Sequence, residues 1–217
     1  MKRENAEKHK TKIKICGLTR EEDILCANQL KPHYVGLVFA KSRRRVTMEQ
    51  AVRLKKLLDP DITAVGVFVD EEPKQILEYL SRGIIDAAQL HGNESEGTIR
   101  FLRRTSGKPV IKAVVVRQPE DILKWKDTEA DYLLLDSGKG SGETFRWSLM
   151  EDAVGESEVA FKKRIFLAGG IHPGNIHEAI RNVHPYCIDV SSGAETDGVK
   201  DPVKMKALVE SVRNVGV

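Results

Sequence analysis

Polar and apolar residues alternate from Lys12 to Cys16, and the next segment, Arg20 to Leu30, carries Ile24, Leu25, Ala27 and Leu30 at helical spacing behind Thr19 as N-cap. A strand followed by a helix is predicted. The same change of period recurs down the chain. Further strands are predicted at Tyr34–Phe39, Thr63–Val69, Ile85–Leu90, Val110–Val116, Tyr132–Asp136, Ile165–Ala168 and Cys187–Val190. Each leads into a helix, at Thr47–Leu58, Pro73–Arg82, Glu94–Thr105, Pro119–Lys126, Trp147–Val154, Pro173–Val183 and Asp201–Val212. Runs such as Val65–Val69 and Leu133–Leu135 have the continuous apolar character of strands covered on both faces. Eight βα units with short connections favour a closed parallel sheet, because each crossover helix covers a strand and closure removes the edges. The predicted fold is therefore α/β, a single-domain (β/α)8 TIM barrel over residues 11–217. An open doubly wound sheet is the competing architecture, but it would bind its ligand through one Gly-rich loop. Here polar or Gly-rich clusters follow three successive strands, at Asp136 with Gly140–Trp147, at Ala168-Gly-Gly170 and at Ser191-Ser-Gly193. In a barrel of this kind the active site lies at the carboxyl ends of the strands, and the loops after strands seven and eight cradle phosphate.

Composition narrows the picture only modestly. At 217 residues, one sizeable core is expected. Charged residues make up 31% and hydrophobic ones 41%, and no apolar run approaches the roughly 20 residues of a membrane span, so neither disorder nor a membrane protein is indicated. A net charge of +3 is too small to imply nucleic acid, although it suits an anionic small substrate. Three cysteines, Cys16, Cys26 and Cys187, form no CxxC pair and no even framework, which points to a reducing cytoplasm. Met1 to Lys10 are polar and Lys-rich with no apolar h-region, so they are expected to be a disordered leader outside the fold. The expected assembly is a monomer, with a homodimer as the alternative.

Candidate chemistry gathers at the predicted strand ends. Cys16 closes the first strand, where the N–H dipoles of Gly17–Arg20 and the Arg20 charge could favour a thiolate acting as nucleophile or general base. A small buried hydrophobe is the alternative reading of the same residue. Cys26 and Cys187 fall on apolar faces and are assigned to the core. Asp136 ends the sixth strand, across the barrel mouth from Cys16, where a partly desolvated carboxyl can donate a proton; a cap or ion-pair partner is its alternative role. Gly169, Gly170, Ser192 and Gly193 can offer backbone N–H groups to a phosphate, or serve only tight turns. Among Arg43, Arg44 and Arg45, one arginine at a strand top can grip a carboxylate bidentately while the others face solvent. His91 either touches substrate or is a hydrogen-bonded structural residue. His33, His172, His177 and His184 lack metal-ligand spacing, so neither a metal nor a cofactor is expected.

Several ordered motifs resemble phosphoribosylanthranilate isomerases of tryptophan biosynthesis: Lys14-Ile-Cys-Gly-Leu-Thr19, Gly36–Phe39 with Ser42–Val46, Val67–Val69, Gln89-Leu-His-Gly92, Leu134-Leu-Asp136 with Gly140–Gly142 and Phe145–Trp147, Leu167–Gly170 with Pro173–Asn175, and Asp189–Glu195. The resemblance covers nearly the whole chain after the leader. It implies a (β/α)8 barrel and an aldose–ketose isomerase that performs an Amadori rearrangement of N-(5-phosphoribosyl)anthranilate to the 1-deoxyribulose 5-phosphate adduct, without metal or organic cofactor. By resemblance, Asp136 is the general acid that opens the ribose ring and Cys16 the general base that removes the C2 proton. Arg44 then binds the anthranilate carboxylate, and Gly142, Gly170, Ser192 and Gly193 form the phosphate cradle. The chain departs from the family pattern at Arg43, where proline is common, and at Arg146, where aspartate usually precedes the tryptophan. A histidine-pathway isomerase would be expected to carry aspartate where Cys16 stands, and a non-catalytic phosphate-binding barrel would need neither Cys16 nor Asp136.

Overall fold

The computed structural model describes residues 11–136 and 163–215. Eight parallel strands close into a barrel in chain order: β1 (Lys12–Cys16), β2 (Tyr34–Val38), β3 (Thr63–Phe68), β4 (Ala87–Leu90), β5 (Val110–Val115), β6 (Tyr132–Asp136), β7 (Arg164–Leu167) and β8 (Cys187–Val190). Closure is made by β1 against β8, with Lys12 opposite Cys187 and Ile15 opposite Val190. Outside lie the helices α1 (Glu21–Leu30), α2 (Met48–Leu57), α3 (Pro73–Ser81), α4 (Glu96–Ser106), α5 (Pro119–Leu123), α6 (Ile176–Val183) and α7 (Pro202–Asn214). The expected TIM barrel is the observed fold. The leader, the expected helix at Trp147–Val154, Gly142 and Arg146 lie outside the described residues.

The period of two along each strand separates two cores. Outward positions such as Ile13, Ile15, Leu133 and Leu135 pack under the helices. Inward positions such as Val65, Ile111, Leu134 and Phe166 fill the barrel. At the amino-terminal end Tyr34, Tyr132, Phe166 and Tyr186 form an aromatic floor, with Tyr34 and Tyr132 meeting Phe166 edge-on at 5.2 and 5.3 Å between ring centroids. The Lys12 ammonium donates to the Tyr186 hydroxyl at 2.8 Å.

Local details differ from the periodicity reading where side chains compete with it. Thr19 is not the N-cap of α1. Arg20 is, and the Asp23 carboxylate reaches back to accept the N–H groups of Thr19 and Arg20, both at 3.1 Å. Helix α4 starts at Glu96, capped by the Ser95 hydroxyl, because Glu94 is drawn inward to Lys112 at 2.8 Å. Helix α6 starts at Ile176 instead of Pro173, since Asn175 bonds back to His172 and Gly170. A short hairpin, β9 (Glu195–Thr196) with β10 (Val199–Lys200), was not anticipated. Among the described residues no helix is long and apolar enough to cross a membrane.

Candidate active site

A cavity of about 370 Å³ opens at the carboxyl ends of the strands. Cys16, Arg44, His91, Asp136, Gly169, Gly170 and Ser192 all line it. That size suits a small ligand. Gly193 stands one step back, and Gly142 lies outside the described residues.

Cys16 owes its place to Gly36, its partner across β1 and β2. A Cβ at residue 36 would stand 2.6 Å from the Cys16 sulfur, so only glycine leaves room for the thiol to face the cavity. Burial pushes the thiol above its ordinary value, while Lys14 and Lys200 pull the other way. Arg20, expected beside the thiol, turns to Asp23 at 2.5 Å and to the Lys200 carbonyl at 3.1 Å. The N–H groups of Gly17 and Leu18 are likewise taken, both by the Gly36 carbonyl at 2.9 and 3.1 Å. Lysines, rather than the first turn of α1, are the charges that favour a thiolate here.

Lys14 was missed in the sequence because an alternating strand with polar residues at every second position resembles one washed by solvent on that face. In a closed barrel that face is the interior, and Lys14 is fully buried. Its ammonium donates to Asp189 Oδ2 and to Gln89 Oε1, each at 2.9 Å. Burial alone would lower its pKa, but Asp189 and Cys16 outweigh that and hold it above the ordinary lysine value. Gln89 continues the chain of contacts to His91 Nδ1 at 3.2 Å, and His91 Nε2 stands 3.6 Å from Asp136 Oδ2. Burial lowers the His91 pKa despite the nearby Asp136, which favours the neutral imidazole.

Arg44 leaves the loop after β2 and meets Glu195 side-on, Nε to Oε1 at 2.6 Å and Nη2 to Oε2 at 2.8 Å. The fork orients the guanidinium, and Arg44 lines the cavity. Arg43 adds a contact to Glu195 at 2.7 Å and Lys200 another at 2.5 Å. Burial raises the Glu195 carboxyl, but Arg44 and Lys200 overcome it and hold the pKa down to about 2. Arg43 and Arg45 are otherwise exposed, as a charge run should be.

Beyond β7 and β8 two loops close on each other. Gly169 and Gly170 take left-handed φ of 89° and 64°, which turn the chain back over the barrel mouth. Ser192–Ala194 form a single 3₁₀ turn, and a Cβ on Gly193 would run into the carbonyl oxygen of Ile171. The N–H groups of Gly170, Ser192 and Gly193 reach no carbonyl among the described residues. Among the described residues no group of three or more His, Cys, Asp or Glu side chains is placed to hold a metal ion.

Residues 13–211 match the family model described as N-(5'-phosphoribosyl)anthranilate isomerase. The chain belongs to that family. An N-(5'-phosphoribosyl)anthranilate isomerase of Thermoanaerobacter sp. (strain X514) is 42% identical over 209 residues, which cover 94% of this chain and 98% of the relative. The crystal structure of the phosphoribosyl anthranilate isomerase from Thermotoga maritima superposes with a TM-score of 0.84 at 36% identity, covering 94% of this chain and 98% of that one. A further solved isomerase, in complex with reduced 1-(o-carboxyphenylamino)-1-deoxyribulose 5-phosphate, has a TM-score of 0.82 at 35% identity and the same coverage, 94% and 98%. As a member of this isomerase family the chain is an aldose–ketose isomerase. Cys16, Arg44, His91, Asp136, Gly169, Gly170 and Ser192 line one cavity. Lys14, Gln89, Asp189, Glu195 and Lys200 are buried polar residues, of which Gln89 and Asp189 also line the cavity.

Proposed function

We propose that this chain isomerises N-(5'-phosphoribosyl)anthranilate to 1-(2-carboxyphenylamino)-1-deoxyribulose 5-phosphate in tryptophan biosynthesis, with Asp136 as general acid and Cys16 as general base. The observation that carries the reading is the joint presence of these two groups in one cavity whose rim offers Arg44 and the amide-lined loops after β7 and β8. Arg44 takes the anthranilate carboxylate and the loop amides take the phosphate, so the ribose lies between the acid and the base. Asp136 gives its proton to the ring oxygen as the C1–O bond breaks, leaving an iminium at C1. The iminium acidifies C2–H, and the Cys16 thiolate removes that proton to give the enolamine. Loss of the enol proton and protonation at C1 complete the ketone. That a solved relative is in complex with reduced 1-(o-carboxyphenylamino)-1-deoxyribulose 5-phosphate supports a ligand of this class for the present chain.

The test is the decay of anthranilate-type fluorescence when purified protein meets phosphoribosylanthranilate generated in situ, with Asp136→Asn alongside. Rapid decay with the intact protein alone is expected. No decay from a folded protein that still binds sugar phosphates would leave a binding barrel.

A further inference from the structure

The amide of Gln89 sits between two groups that leave it one orientation. On its inner side is the Lys14 ammonium, 2.9 Å from Gln89 Oε1, and an ammonium can only donate. The amide nitrogen is thereby turned to His91 Nδ1 at 3.2 Å, and an amide nitrogen also can only donate. Nδ1 must therefore accept, which places the ring proton on Nε2, the atom 3.6 Å from Asp136 Oδ2. Lys14 is itself held by Asp189 at 2.9 Å and fully buried, so the amide has no room to flip without burying two donors face to face.

We infer that Gln89 is a positioning residue for the acid: it locks His91 as the neutral Nε2–H tautomer, with that N–H aimed at the Asp136 carboxyl. The kinetic consequence rests on the acid role of Asp136 proposed above, whereas the tautomer does not. A neutral donor steadies the carboxylate that remains after Asp136 gives up its proton, without the full positive charge that would keep it from being reprotonated. The charged groups facing His91 are Asp136 on β6, Asp189 on β8, Lys14 on β1 and Lys112 on β5, two acids against two lysines, and burial tips the balance to the neutral ring.

The experiment is long-range ¹H–¹⁵N NMR of the histidine rings in the full chain, with the His91 signals assigned by their loss in His91→Gln. The wild type should show a protonated Nε2 and a bare Nδ1 across the neutral range. In Gln89→Glu one carboxylate oxygen still meets Lys14 while the other presents an acceptor to Nδ1. The proton should then move to Nδ1 or the ring should charge, with a rise of about one unit or more in its midpoint. The kcat should fall more than KM changes, and the deficit should deepen as the pH drops. A wild-type ring protonated at Nδ1, or a tautomer and midpoint unmoved in Gln89→Glu, overturns the inference. If Gln89→Glu fails to fold, Gln89→Met serves instead and should give a mixture of tautomers; a pure Nε2–H ring there overturns the assignment to Gln89. Full turnover by Asp136→Asn would remove the proposed acid yet leave the nitrogen signals to decide the tautomer on their own.

Discussion

Two side chains are proposed to carry the proton transfers, and their removal should be felt in turnover before it is felt in the fold. Cys16→Ser and Asp136→Asn are each expected to lower kcat by at least about 10²-fold, measured by steady-state fluorescence with thermal melts as the control. Arg44 is proposed to hold a group that does not react, so Arg44→Ala should chiefly raise KM. The carboxylate behind it makes a different prediction. Glu195 titrates near 2 in the fold against an ordinary 4.5, so its contribution to stability is complete above about 4.5 and disappears as the pH falls toward 2. Urea titrations of wild type and Glu195→Gln should therefore differ most above that window and converge below it. At this scale the sequence shows groups that end a strand, such as Cys16 and Asp136, because position along a barrel strand alone points them at the mouth. Lys14, Asp189 and Glu195 stay hidden, since their meaning comes from partners far along the chain: Lys14 and Asp189 are 175 residues apart.

Elements were legible wherever burial imposes a period, and least so at their ends, where one polar side chain outbids another. The eight strands and the described helices stand where the alternation places them, to within a few residues. Asp23 displacing Thr19 from the α1 cap, and Lys112 drawing Glu94 out of α4, are contests that local spacing does not register. The loops after β7 and β8 behave as one unit because Gly193 lets them touch. Gly193→Ala should cost about 1–3 kcal/mol by overpacking and should weaken phosphate-bearing ligands more than phosphate-free ones, as equilibrium unfolding and titration with inorganic phosphate can show. Gly36→Ala acts on the other side of the mouth by displacing the Cys16 sulfur, with kcat reduced and phosphate affinity kept.

Across the whole molecule, one end of the barrel is sealed by rings and the other lined with ionisable groups, so stability and chemistry occupy opposite faces. The closing pair of β1 with β8 joins the first described strand to the last in the barrel. A chain ended after Tyr186 keeps the strands up to β7 but exposes the edges of β1 and β7, and should aggregate, which size-exclusion chromatography and dye binding can report. The same closure dictates an order of events during synthesis. At about 5–20 residues per second, β1 leaves the ribosome on the order of ten seconds or more before its β8 partner exists. Through that interval its outer edge is a template awaiting a complement, and a cell making this enzyme must shelter a half-built sheet each time it makes one.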